Sequence, residues 1–167
     1  MLPALVKTWA PRGAARRGAV PVLRLPWTRD HLSVISAISE HCQVLSRTWT
    51  RTINGNRVVA FLQHILRQVP GRLLVIWDGA SIHRCREVKH FLATGAARRL
   101  KLLPLPGYAP ELNPAEGIWR WLKRVALGNV CCDTLDELRD ELRLAFARLR
   151  HRKDVLGACI RRPGYIY

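Results

Sequence analysis

Acidic side chains are scarce. Twelve Asp and Glu stand against 28 Lys and Arg in 167 residues, a formal net charge of +16. That imbalance excludes the near-neutral surface of an ordinary metabolic enzyme and suits a polyanionic partner, nucleic acid first. Zinc-type spacing is also missing. Cys42, Cys85, Cys131, Cys132 and Cys159 form an odd set with no Cys-x-x-Cys pair, so they read as reduced core thiols rather than a disulfide framework. No apolar run reaches the roughly 20 residues needed to cross a bilayer, and the N-terminus lacks a secretion-signal h-region. The expected location is the cytoplasm, nucleoid-associated where DNA is bound. No internal repeat or low-complexity tract is visible.

The basic excess is uneven. Residues 1–29 carry six basic side chains and no acidic one, and residues 47–101 carry eleven basic against two acidic. Phosphate contacts set affinity without carrying sequence information, so charge alone names no target. A chain of this length with 49% apolar residues buries one core, which predicts a single domain over residues 1–167.

Short apolar runs at Val20 to Leu25 and His31 to Ser39, separated by Pro26, Trp27 and Thr28, suit two antiparallel strands. Past the turn at Asn54 to Asn56, residues Val58, Phe61, Leu62, Ile65, Leu66 and Val69 recur at helical spacing, and Pro70 and Gly71 stop the helix. Leu73 to Trp77 is a continuous apolar run, expected as a strand covered on both faces. Ser81 is a candidate cap for a helix through about Ala93, and Leu100 to Leu105 forms another short strand. A rigid Pro-rich loop then leads to Asn113 and Pro114. These open a helix whose apolar stripe is Ile118, Trp119, Leu122 and Val125, with one of Trp119 and Trp121 in the core and the other on the surface. Thr134 and Glu137 form a capping box for the last helix, carrying Leu135, Leu138, Leu142, Ala145, Phe146 and Leu149. Strands first, then alternating helices and strands, predict an α/β fold with a mixed sheet flanked by helices, the layout of ribonuclease-H-like domains.

Two of the few acids sit at element ends. Asp78 follows the apolar run in Trp77-Asp78-Gly79-Ala80-Ser81-Ile82-His83, at the strand edge where α/β sheets place ligands. Glu116 lies in the first turn of the helix after Asn113. Breaking a phosphodiester needs an activated nucleophile and a stabilised leaving oxygen, which two divalent cations supply, and carboxylates are their natural ligands. Plainer roles are open to both: Glu116 can complete a cap and favour the helix dipole, and Asp78 can cap the next helix or anchor a turn. His83 is more often a hydrogen-bonded structural histidine than a ligand.

The stretch Leu74 to Arg124 resembles the catalytic domain of DDE transposases, specifically the bacterial insertion-sequence branch of the Tc/mariner superfamily. The resemblance rests on Asp78-Gly79-Ala80-Ser81-Ile82-His83 and on Leu105-Pro106-Gly107-Tyr108-Ala109-Pro110-Glu111-Leu112-Asn113-Pro114-Ala115-Glu116-Gly117-Ile118-Trp119, with 37 residues between the two acids. Upstream, Thr8-Trp9-Ala10-Pro11-Arg12-Gly13 resembles the family's Trp-Ala-Pro segment. The likeness implies metal-dependent cleavage and strand transfer of DNA, with Asp78 and Glu116 as catalytic ligands of Mg2+ or Mn2+. It also implies positioning roles for His83 and Asn113. Arg12, Arg16, Arg17, Arg84, Arg120, Lys123 and Arg124 are the candidates for holding DNA, both transposon ends and target. A homodimer fits the same reading.

Departures qualify it. The family's first metal-binding aspartate ends a central strand ahead of the Trp-Ala-Pro segment, and no Asp or Glu precedes Asp30 here. The expectation is therefore a domain incomplete at its N-terminus, lacking the first central strand and inactive as an isolated chain. A decayed element, a misplaced start codon or a second reading frame joined to an upstream one would each explain this, and in the last case an upstream polypeptide would supply that strand and the helix-turn-helix that reads transposon ends. Gly79 stands where the family has Asn, which puts a side-chain contact to Asp78 in doubt. The rival expectation is a catalytically dead DNA-binding remnant of a transposase.

Overall fold

Ser33–Ile38 (β1) and Val44–Trp49 (β2) pair antiparallel, from Ser33 opposite Trp49 to Ile38 opposite Val44. The tight connection is closed by Cys42 N–H donating to Ser39 O at 2.9 Å and by Gln43 N–H donating to Ser39 Oγ at 3.2 Å. Cys42 takes a left-handed φ of 57° there, a conformation uncommon for a residue with a Cβ. Alternation along β1 sends Ile35 and Ala37 into one apolar cluster and Val34 and Ile38 into another, as the two-residue period of a strand requires. A computed structural model describes residues 31–107 and 109–162.

The first cluster is built on Gly55–Gln68 (α1), which buries Val58, Phe61, Leu62 and Ile65. Asn54 caps it by accepting from Arg57 N–H at 3.1 Å. Leu73–Trp77 (β3) follows, then a 3-10 turn at Ser81–Arg84, Arg86–Ala93 (α2) and Leu100–Pro104 (β4). β3 and β4 are parallel, with Trp77 opposite Pro104. Leu73, Val75, Trp77, Leu100 and Leu102 pack with α1 and α2.

The second cluster gathers Pro114–Trp121 (α3), Leu135–Arg150 (α4) and Lys153–Arg161 (α5) around Leu122, Leu142, Phe146, Leu149 and Leu156. Trp119 meets Phe146 edge-on, ring centroids 6.5 Å apart. Among the described residues the strands form two two-stranded sheets, β1 with β2 and β3 with β4, one antiparallel and one parallel.

Several expectations are corrected. β1 pairs with Val44–Trp49, a strand the sequence reading did not assign, while the expected pairing with Val20 to Leu25 falls outside the described residues and is not one of those corrected. β3 is covered on one face only, since Leu74 and Ile76 are 56% and 37% exposed and Leu103 of β4 is 45% exposed. Ser81 opens a 3-10 turn rather than capping α2, which starts after Cys85 without a side-chain cap. Val125 leaves the apolar stripe and is 65% exposed. The cause is a π turn over Leu122–Ala126, closed by Leu127 N–H to Leu122 O at 2.8 Å. Its extra residue rotates Val125 outward and delivers Leu127 to the core. Trp119 and Trp121 are both half-buried against the second cluster. α4 is not the last helix, because α5 follows it. All five cysteines are free thiols, but Cys131 is exposed and only Cys159 is buried.

Candidate active site

Asp78 is the first residue beyond β3. Its Oδ1 accepts from Ala80 N–H at 3.0 Å, an Asx-type turn that reverses the chain immediately after the strand. The 3-10 turn then brings His83 back, with His83 N–H donating to Ala80 O at 3.0 Å. The Nδ1 of His83 lies 3.0 Å from Asp78 Oδ1 and 3.1 Å from the Asp78 carbonyl oxygen. The His83 ring stacks on Trp77, centroids 4.3 Å apart and planes 3° from parallel. His83 is mostly covered and Asp78 is open to solvent, their side chains being 18% and 58% exposed. The Ala80 amide is thus the hydrogen bond on Oδ1, while the hydrogen bond of the His83 ring goes to the Asp78 carbonyl oxygen and its Nδ1 sits close to the carboxylate.

Glu116 enters from the adjoining strand. Because β3 and β4 are parallel, both run out at one edge of their sheet, tied there by Leu105 N–H to Trp77 O at 2.7 Å. The chain leaves that edge through the loop after Pro104 and a 3-10 turn at Pro110–Leu112. Asn113 then starts α3, its Oδ1 accepting from Ala115 N–H and its carbonyl from Glu116 N–H, both at 3.0 Å. Asn113 thus fixes the helix start on which Glu116 sits. Glu116 is exposed, and no described residue hydrogen-bonds or ion-pairs with its carboxylate. Close packing supports this placement from behind: a Cβ on Gly117 would come within 2.5 Å of Cys159 Sγ on α5.

Of the basic candidates, Arg84, Arg120, Lys123 and Arg124 are exposed, while Arg12, Arg16 and Arg17 lie outside the described residues. Among the described residues no group of three or more His, Cys, Asp or Glu side chains is placed to hold a metal ion. Two exposed oxygen donors are a chemically suitable but partial set for a hard divalent cation, which keeps several waters and needs only one or two carboxylates. Trp77 escaped the sequence reading as a positioning residue; its signal was an aromatic ring directly before the Asp78 turn that returns His83.

An α/β domain with helices packed on its strands and a carboxylate at a strand's C-terminal end has the ground plan of a ribonuclease-H-like fold. The chain belongs to the DDE superfamily endonucleases, whose family model matches residues 3–139. Solved structures agree on the fold. A Mos1 mariner paired-end complex with Mg is similar at TM-score 0.64 and 19% identity, over 99% of this chain and 52% of that one. The Mos1 strand transfer complex gives 0.63 and 19% over the same shares. The Mos1 catalytic domain alone gives 0.50 and 18%, over 83% of this chain and 82% of its own. The chain therefore spans about half the length of the first two. No match was found among curated proteins. Among the described residues no helix is long and apolar enough to cross a membrane.

Proposed function

We propose that this chain is a fragment of a DNA transposase, and that the site serves metal-dependent cleavage and strand transfer of DNA phosphodiesters. The observation that carries the reading is the Asp78 loop, in which the Ala80 amide holds Oδ1, His83 Nδ1 stands 3.0 Å away and the carboxylate stays 58% exposed at the strand end. Asp78 and Glu116 would hold Mg2+ or Mn2+. Bound cations would supply charge stabilisation at the leaving oxygen and activation of the attacking hydroxyl or water. His83 limits rotation of the Asp78 carboxylate, and Asn113 sets the helix turn that presents Glu116. Arg84, Arg120, Lys123 and Arg124 would grip the phosphate backbone, so that metal and arginine together offset the repulsion between carboxylate and DNA. Solved Mos1 complexes containing DNA ends, Mg and Mn support the same ligands here.

Two carboxylates fall short of the three that the resemblance implies, and no acid stands before Asp30. We therefore propose that the isolated chain is inactive or nearly so, and that an upstream polypeptide provides the remaining acid, its strand and the DNA-reading module. The same shortfall favours a second reading, a DNA-binding remnant without chemistry. Cleavage of transposon-end DNA with Mg2+ or Mn2+ tests both. Robust turnover by this chain alone overturns the inactivity. Cleavage only after addition of the upstream polypeptide, abolished by Asp78→Asn, supports the fragment reading. Salt-sensitive DNA binding indifferent to Mg2+, with no cleavage in either setting, favours the remnant.

A further inference from the structure

Away from the two carboxylates, a surface groove of about 420 Å³ lies between the β1–β2 turn, α1 and the junction of α4 with α5. His64 and Gln68 of α1 and Arg150 and Lys153 at the junction line it, and none of its lining residues is acidic. Arg150 Nε donates to Val44 O at 3.4 Å and Lys153 Nζ to Cys42 O at 3.1 Å. One donor on each side chain therefore pins the cation over the hairpin, leaving the others for a ligand. Strand alternation puts Arg47 on the same face of β2 as Leu45 and Trp49, the face turned to α1. Arg67 follows His64 by one helical turn. Arg47 and Arg67 stand outside the groove lining itself, but their charges act on His64, whose pKa is lowered by burial first and by Arg47 and Arg67 next. Of the acids nearest in sequence, Asp154 is paired with Arg152 at 2.7 Å and Glu40 is exposed beside His41 on the hairpin turn.

We propose that this groove with its neighbouring cations is a second DNA-binding site, in which Arg47, Arg67, Arg150 and Lys153 hold the phosphate backbone of a duplex independently of sequence. Four cations drawn from four elements and left without an acidic partner repel one another; a run of phosphates resolves that repulsion and releases counterions on binding. The groove is an open trough bordered by β2, which among the described residues is paired on one side only. It suits an extended polyanion better than an enclosed small anion. The choice of DNA rests on the transposase reading.

The test is titration of a fluorescent 20-base-pair DNA duplex of arbitrary sequence, in EDTA, across a salt series. Arg47→Gln with Arg67→Gln is the first variant, and Arg150→Gln with Lys153→Gln the second, so that a folding defect in one leaves the other informative. Arg139→Gln with Arg143→Gln on α4 is the control; each of those arginines is ion-paired with an acid on its own helix. We expect each groove pair to weaken binding about tenfold and to flatten the slope of log K against log salt by about 1.8, roughly 0.9 per lost phosphate contact. The control pair should stay within about twofold. Equal losses in groove and control variants overturn the site. Groove-dependent preference for an RNA duplex of the same sequence overturns the assignment to DNA. Because EDTA removes divalent metal, failure of the cleavage chemistry and failure of this groove are read separately.

Discussion

The imidazole of His83 lies flat on the indole of Trp77 while its Nδ1 reaches the Asp78 carboxylate at 3.0 Å. Three residues thereby lock one another: the strand end supplies Trp77 and Asp78, and the 3-10 turn returns His83. Removing the ring takes away the neighbour of the carboxylate and uncovers one face of Trp77, while the buried residues of the first cluster keep their contacts. His83→Ala is expected to weaken Mn2+ binding about 10- to 100-fold, the usual cost of losing a partner that orients a metal ligand. Thermal unfolding should change little. A large loss of stability with unchanged metal affinity would assign His83 a purely structural role.

Arg99 closes the C-terminal end of α1. Its guanidinium donates to Gly71 O at 2.9 Å, Leu66 O at 3.2 Å and Val69 O at 2.8 Å. Carbonyls left open at a helix end need such donors. Arg99→Ala is expected to cost about 1–2 kcal/mol, the charge-assisted range reduced for a solvent-exposed site. Arg99→Lys should recover only part of it, because a point charge does not span three carbonyls. Urea denaturation of the three proteins checks the order.

How far these features were legible in the sequence differs by element. Helices with a full apolar stripe and a side-chain cap were readable: Asn54 caps α1, Asn113 caps α3 and Thr134 caps α4. β2 was not, because Val44-Leu45-Ser46-Arg47-Thr48-Trp49 mixes polar and apolar residues and is made a strand by its pairing with β1. α5 was missed for want of a capping side chain at Arg152. A π turn leaves no mark in periodicity, so Val125 was read inward. For the site, Asp78 and Glu116 were visible as acids beside Gly and Pro punctuation. The basic groove brings the β1–β2 turn and α1 beside Arg150 and Lys153, positions far apart in the chain, and no local pattern reports such a meeting.

Gly117 of α3 lies directly against Cys159 of α5. A Cβ there would meet Cys159 Sγ at 2.5 Å and Cys159 Cβ at 3.1 Å. Gly117→Ala raises helix propensity yet forces the two helices apart, and overpacking prevails in a tight contact. The expected outcome is a loss of about 1–3 kcal/mol, seen in denaturant titration. Pairing it with Cys159→Ala should restore part of the loss.

Asp154 has a carboxyl held down to about 2 from an ordinary 3.8, chiefly by its hydrogen bond to Arg152. A pKa depressed in the folded state stabilises the fold above the unfolded value and stops doing so as pH falls through the folded one. Asp154→Asn should therefore lower the melting temperature near neutral pH, with the difference shrinking between about pH 4 and pH 2. High salt should shrink it too, since the pair is exposed. Melting curves across that range check the sign.

Mn2+ titration of the purified chain, followed by the loss of the free-ion EPR signal, tests most directly whether Asp78 and Glu116 share a cation. The chain is expected to bind Mn2+, with Asp78→Asn and Glu116→Gln each weakening it about tenfold or more through loss of a hard oxygen ligand. Excess Mg2+ should compete. Identical Mn2+ affinity in the parent chain and both variants would contradict the account.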